Sequence, residues 1–339
     1  MSKTPKRGRP KSTKKPQKIK IAPYLVAAAF CILCLCITLA DYVNPFSIFP
    51  TWDEIFSVMD NLSGNGSGST SEDGSGTGSP SVHSTVKVHM IDIGQGDSIL
   101  IEAPEANVLI DAGENGKGDD VIDYLKAHGI TTLDIVIGTH AHSDHIGGLD
   151  DVVRGMNVKK VILSEIAEES VPTTKTYTSL LTAILEKNLS ITTAKVGDTY
   201  NLGDGAALQI VGPNGVFKDL NNTSVVCRLT YGENSFLFTG DCESNAEAAI
   251  LQRKGITVSA DVLKVGHHGS DTSTSDEFLE AVDPDIALIS CGTGNTYGHP
   301  IPSTIEKLEN KNIQIYRTDL SGSIIVTSDG KNLTVTTEK

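Results

Sequence analysis

Short apolar runs separated by amphipathic stretches set the texture of the chain from residue 86 onward. The runs predict strands over 86–91, 98–102, 108–111, 133–138, 158–163, 207–211, 224–231, 235–238, 261–265 and 285–290. Several are apolar at every position rather than at alternate ones, the pattern of strands covered on both faces. Helical spacing falls between them, over 119–127, from near His145, and over 243–253, 275–281 and 303–310. The first of these has acids in its first turn and Gly129 just beyond its end, and Thr274 with Glu277 reads as a capping box for the fourth. Alternating strands and helices predict a layered α/β domain over 86–339, and roughly 250 residues suffice for one substantial core.

The first 85 residues follow other patterns. Residues 21–40 carry no charge and are long enough to cross a bilayer as one helix. Tyr24 stands at one border, and Tyr42, Phe46, Phe49 and Trp52 at or beyond the other, as in an interfacial belt. Nine of the 28 Lys and Arg residues lie within residues 1–20, which hold no acid, leaving 19 against 42 acidic residues in the rest. A basic flank stays in the cytoplasm, so 1–20 is read as a cytoplasmic tail, 21–40 as a single-pass membrane anchor contacting lipid, and everything after Asp41 as extracellular. Cleavage near Ala40, giving a secreted protein, is the lesser reading, because the basic region and the apolar run both exceed signal-peptide lengths. The basic stretch Lys6-Arg7-Gly8-Arg9-Pro10-Lys11 has the shape of a minor-groove DNA hook, but beside an anchor its charges are read as topogenic or lipid-binding.

Residues 41–60 form a juxtamembrane segment, with Trp52, Ile55, Phe56 and Met59 at the spacing of a short amphipathic helix or of unstructured chain. Residues 61–85, dominated by Gly, Ser and Thr, read as a flexible tether. Three of the six cysteines fall in the apolar run, and Cys227, Cys242 and Cys291 are too sparse for a disulfide framework.

Chemistry concentrates in Thr139-His140-Ala141-His142-Ser143-Asp144-His145-Ile146-Gly147-Gly148, at the carboxyl end of the strand predicted over 133–138. Three imidazoles and a carboxylate within six residues converge on one loop. Such a donor set favours a hydrolytic zinc, iron or manganese site over a closed, thiolate-rich structural one.

This motif resembles the signature of the metallo-β-lactamase superfamily, whose fold is an αββα sandwich. The resemblance implies that His140 and His142 serve one metal position and Asp144 and His145 another, with Asp241, in Thr239-Gly240-Asp241, bridging them. It implies that Asp111, in Leu109-Ile110-Asp111-Ala112-Gly113, braces the metal loop from behind. The region 220–226, where the superfamily places a further imidazole, contains no His. His267 is taken as the last metal ligand, with His268 and His299 near the scissile bond. Asp92-Ile93-Gly94-Gln95-Gly96-Asp97, the segment from Leu263 to Ser270, Tyr297-Gly298-His299-Pro300 and residues 316–324 narrow the resemblance to the hydrolase domain of ComEC-type competence DNA-uptake proteins. Neither the multi-helix channel nor the oligonucleotide-binding module of those proteins is legible here.

The resemblance implies one or two divalent ions, zinc first and manganese second, and a phosphodiesterase or nuclease. Asp144 would orient the attacking water, and His299 or His268 would protonate the leaving group. The acid surplus sits poorly with long duplex DNA. It favours a short or single-stranded phosphodiester, with a wall polymer such as teichoic acid as the alternative substrate, and Lys264 and Arg317 as local sources of attraction. A metal-stabilised binding module with weak or no catalysis is the non-enzymatic alternative, and β-lactam hydrolysis is placed behind both.

Overall fold

The computed structural model describes residues 84–339. The expected tail, anchor, juxtamembrane segment and the tether up to residue 83 lie outside the described residues. Among the described residues, no helix is long and apolar enough to cross a membrane.

Seventeen strands are present: β1 (Val86–Met90), β2 (Ile99–Glu102), β3 (Asn107–Ile110), β4 (Thr132–Leu133), β5 (Ile135–Gly138), β6 (Asn157–Val158), β7 (Val161–Leu163), β8 (Ile191–Thr193), β9 (Thr199–Gly203), β10 (Ala206–Gly212), β11 (Val226–Tyr231), β12 (Asn234–Phe238), β13 (Val262–Lys264), β14 (Ile286–Ile289), β15 (Gln314–Arg317), β16 (Ile324–Ser328) and β17 (Leu333–Thr337). They form an eight-stranded sheet, β17-β16-β1-β2-β3-β5-β7-β8, a seven-stranded sheet, β15-β14-β13-β12-β11-β10-β9, and the small pair β4-β6. Side-chain alternation explains why the central strands of both large sheets are apolar on both faces. Ile99, Ile101, Val108, Ile110, Ile135 and Ile137 meet Phe236, Phe238, Val262, Ile286 and Leu288 in the core between the sheets. The intervening Leu100, Leu109 and Val136 face outward, under the helices α1 (Gly118–Ala127), α2 (Ser143–Ile146), α3 (Leu149–Gly155) and α4 (Lys175–Glu186). On the other flank, Leu237, Leu263, Ala287 and Ile289 pack with α5 (Ser244–Leu251), α6 (Asp276–Val282) and α7 (Pro302–Asn310). The result is the expected αββα sandwich, with two outer apolar layers as well as the central one.

The chain departs from the sequence reading in instructive places. The run 133–138 is split at Asp134, whose carboxylate accepts from the Asn107 backbone N–H at 2.9 Å and from Lys159 at 2.7 Å. Helix α4 lacks a sequence signal because Thr176, Thr178 and Thr182 interrupt it. It forms because Leu180, Ala183 and Ile184 are buried, while Thr174 caps it by accepting from Tyr177 N. Strands β8, β9, β15, β16 and β17 are also absent from the sequence reading. The capping box is displaced by one residue: Ser275 Oγ caps α6 by accepting from Phe278 N, and Thr274 Oγ1 instead accepts from Gly266 N.

Parallel pairing of β3 with β5 and of β12 with β13 and β14 sends five strand ends to one edge of the sandwich. There the loops after β3, β5, β12, β13 and β14 meet, the usual place for ligands in α/β proteins. The turn between β1 and β2 closes the same edge. Asp97 N donates to Asp144 O at 3.0 Å, and this approach needs Gly96, whose φ is +117° and where a Cβ would overlap that carbonyl.

Candidate metal centre

Asp111 leaves the end of β3 at a positive φ of 59° and is fully buried. Its carboxylate accepts from Thr139 N at 2.8 Å, Thr139 Oγ1 at 2.6 Å and His145 Nδ1 at 2.8 Å. With the proton on Nδ1, the lone pair of His145 sits on Nε2 and faces Asp241 Oδ1, 3.1 Å away. His268 is fixed in the same manner. Its Nδ1 donates to the Ser290 carbonyl at 2.9 Å, leaving Nε2 3.4 Å from Asp144 Oδ2 and 3.7 Å from Asp241 Oδ2.

One ligand atom from each of Asp144, His145, Asp241 and His268 falls within 4.8 Å of the others. Both carboxylate oxygens of Asp241, His145 Nε2 and His268 Nε2 are buried without a hydrogen bond. Buried nitrogen and carboxylate oxygen atoms without hydrogen bonds of regular geometry, converging on one point, fit a divalent cation that displaces protons from the imidazoles. Beside them, His140 Nε2 lies 3.0 Å from His142 Nδ1 and 3.9 Å from Asp241 Oδ2, so Asp241 stands between two groups of imidazoles. Ser224 holds this arrangement from behind: its hydroxyl donates to His140 Nδ1 or accepts from it at 3.2 Å, and it accepts from Asp241 N at 3.1 Å. Asp241 does not cap the following helix, whose N-cap is Glu243.

The two adjacent histidines stand differently in the site. His268, expected near the scissile bond, is buried inside the four-group cluster, whereas His267, expected as ligand, stands outside it at 23% side-chain exposure with Nε2 3.5 Å from Asp241 Oδ2. Both occupy left-handed backbone, φ 51° and 55°, a turn that no strand-and-helix pattern reveals. His299 does reach the cleft. Asn295 clamps its backbone, and its ring lies 5.4 Å from that of His267 and 6.4 Å from that of His268.

Asp97 is the residue that sequence reasoning passed over. Its carboxylate lies 2.5 Å from Lys264 Nζ, 3.4 Å from His268 Nδ1 and 3.8 Å from His145 Nδ1, all buried. Burial alone would raise its pKa, yet Lys264, His268 and His145 hold it down to about 2. The signal was the Gly-Gln-Gly-Asp turn, which marked a resemblance without revealing its chemistry. Lys264 is correspondingly not a surface attraction for substrate: it is fully buried, tied to Asp97 and to the Gly240 carbonyl at 3.0 Å. Arg317 is likewise occupied, paired with Asp319 at 2.7 Å.

Residues 91–293 match the family profile of the Metallo-beta-lactamase superfamily. The chain belongs to that superfamily. Curated relatives include ComE operon protein 3 of Bacillus subtilis, 35% identical and aligned over 72% of this chain and 33% of its own length. Recombination protein 2 of Haemophilus influenzae is 32% identical over 71% of this chain and 29% of its own length. These relatives are ComEC-type competence proteins, and the chain spans about a third of their length. Among solved structures, the metallo-beta-lactamase fold protein YhfI from Bacillus subtilis aligns with a TM-score of 0.48 at 11% identity, covering 72% of this chain and all of that one.

The metallo-β-lactamase site carries more negative than positive charge at its floor, and the titrating groups show it. Burial opposes charge on His145 and His268, but Asp241 with Asp111 raises His145 well above its ordinary value, and Asp241, Asp144 and Asp97 raise His268 to about 9. Burial likewise opposes ionisation of Asp241, which His145 and His268 nevertheless hold well below the usual carboxylate range. In the metal-free chain both imidazoles therefore keep their protons at pH 7, and a cation entering the cluster expels them. Metal affinity should rise by about tenfold per pH unit for each proton expelled, with the His268 contribution levelling off near its value of about 9. Titration calorimetry in buffers of different ionisation enthalpy reads that release. Uptake of metal with no proton released would place the cation away from these imidazoles.

Proposed function

We propose that this chain is a membrane-anchored, extracellular phosphodiesterase of the nuclease type, dependent on one or two divalent cations. The carrying observation is the placement of the Asp144, His145, Asp241 and His268 cluster on a cleft of ≈ 320 Å³ whose wall and rim include Gln95, Tyr297 and His299. That volume suits a phosphodiester group with its immediate substituents and is near the small end for ligand sites. It agrees with the acid surplus in favouring a single strand or a short ester over long duplex. The competence relatives support a nucleic-acid strand as the substrate, and a wall-polymer phosphodiester is the second reading on the same charge argument.

When bound, the cations supply Lewis acidity, drawing charge from a phosphoryl oxygen and acidifying water. Asp144 faces the cleft with its side chain 23% exposed, and although burial opposes its charge, His268 and His145 keep it ionised far below the usual range. It is thus available to orient the attacking water and accept a proton. His299 lines the same cleft. Its Nδ1 is buried without a hydrogen bond, and burial together with His267 and His268 lowers its pKa, which makes its protonated form a better donor toward a departing alkoxide but a scarcer one at neutral pH.

Turnover of bis(p-nitrophenyl) phosphate with added zinc or manganese tests the reading. Asp144→Asn should lower the rate by about 10²–10⁴-fold while metal content is largely kept. His299→Ala should slow alkyl esters more than nitrophenyl esters, which need no proton on leaving. Metal binding without any turnover would favour the binding-module reading, and rapid nitrocefin hydrolysis with no phosphodiesterase activity would overturn the substrate class. The topology is tested separately: protease added to intact cells should release a soluble fragment cut within residues 61–85, and protection of that segment until the membrane is breached would reverse the orientation.

A further inference from the structure

The second cation position is one ligand short if only imidazoles and Asp241 are counted. His140 Nε2 and His142 Nδ1 converge at 3.0 Å, with Asp241 Oδ2 beyond, and the region 220–226 supplies no His. It does supply the 3₁₀ turn Asn221–Thr223, and Asn221 lines the same cleft as His142 and Asp241.

The Asn221 side chain is set in one orientation. Its Nδ2 donates to Glu243 Oε1 at 3.2 Å, and because a carboxylate only accepts, the amide cannot be flipped. Glu243 Oε2 accepts from Asn222 Nδ2 at 3.2 Å, and Asn222 Oδ1 accepts from Ala246 N at 3.1 Å, so the turn is anchored to the start of α5. Asn221 Oδ1 is left buried with no hydrogen bond, on a residue only 9% exposed. A carbonyl oxygen withdrawn from water, oriented by a carboxylate and given no donor is prepared for a cation.

We propose that Asn221 Oδ1 completes the second cation position with His140, His142 and Asp241, in the place where the superfamily has an imidazole. The assignment rests on the metal-dependent reading above. An amide oxygen in place of a nitrogen biases this position away from zinc and toward a harder cation, manganese above all. His267 is the rival donor; its Nδ1 lies 3.2 Å from Thr272 Oγ1 and its Nε2 3.5 Å from Asp241 Oδ2.

The full-length chain, stripped with chelator and titrated with manganese, decides the matter through stoichiometry by elemental analysis and affinity by electron paramagnetic resonance. Wild type should bind two equivalents. Asn221→Ala should weaken one of them at least tenfold and leave the other unchanged, with the circular dichroism and melting of the stripped protein unaltered. Asn221→His should restore the second equivalent and shift its zinc-to-manganese preference toward zinc by at least tenfold. Two equivalents of unchanged affinity in Asn221→Ala, or loss of the second in His267→Ala but not in Asn221→Ala, would overturn the assignment. A single equivalent shared by wild type and every variant would overturn it while leaving the hydrolase reading intact, and a wild-type chain that takes up no manganese or zinc would remove both.

Discussion

Four carboxylates, those of Asp97, Asp111, Asp144 and Asp241, are gathered at one edge of a sandwich whose layers are otherwise apolar, and the cost of burying them governs everything around that edge. Three are withdrawn from water almost completely. Each has a different compensation. Asp111 accepts three hydrogen bonds and fixes the ring of His145; Asp97 is neutralised by the buried Lys264; Asp144 keeps partial access to the cleft. The Asp241 carboxylate has no hydrogen bond of regular geometry and is surrounded by imidazoles, with Lys264 Nζ 4.0 Å away. Without a cation, that buried charge is balanced by protons on His145 and His268. A divalent cation replaces those protons, and at the same time takes up the lone pairs that Asp111 and the Ser290 carbonyl have turned toward the cluster.

The backbone bears strain for the same end. Asp111, His267 and His268 all sit at positive φ without being glycine, each at a cost of roughly 1–3 kcal/mol. Such conformations bring the Nε2 atoms of two neighbouring imidazoles to 3.5 and 3.7 Å from the same oxygen, Asp241 Oδ2, where an extended segment would send successive side chains to opposite faces. Gly96 and Gly240 carry the same demand without a side chain, letting the β1–β2 turn and the end of β12 approach the metal loop closely. The layered fold supplies rigid strand ends, and the loops between them hold the unusual conformations.

How much of this was legible in the sequence follows from what each signal measures. The apolar runs over β1, β2, β3, β5 and β10 to β14 are read easily because both faces of each sheet are covered. Strands β15 and β17 are half exposed at sheet edges, and α4 is rich in threonine, so their patterns are diluted. The candidate ligands His140, His142, Asp144, His145 and Asp241 are visible in the sequence, and the structure brings them together. The different burial of His267 and His268 is not visible in the sequence, because it depends on two left-handed residues and on which ring reaches the Ser290 carbonyl. Asp97 and Lys264 were hidden for another reason: their partnership joins positions 167 residues apart, with no local pattern to announce it. Asn221 was hidden because an amide is an unremarked residue until its oxygen is found buried without a donor.

The central claim is that the uncompensated lone pairs around Asp241 are a cation site. Crystals of the chain grown with manganese, with diffraction recorded on both sides of the manganese absorption edge, test it without reference to any substrate. An anomalous difference peak within coordination distance of Asp241, His145 Nε2, His268 Nε2 and Asp144 is the expected result. Well-ordered density for these four side chains with no anomalous peak among them would contradict it.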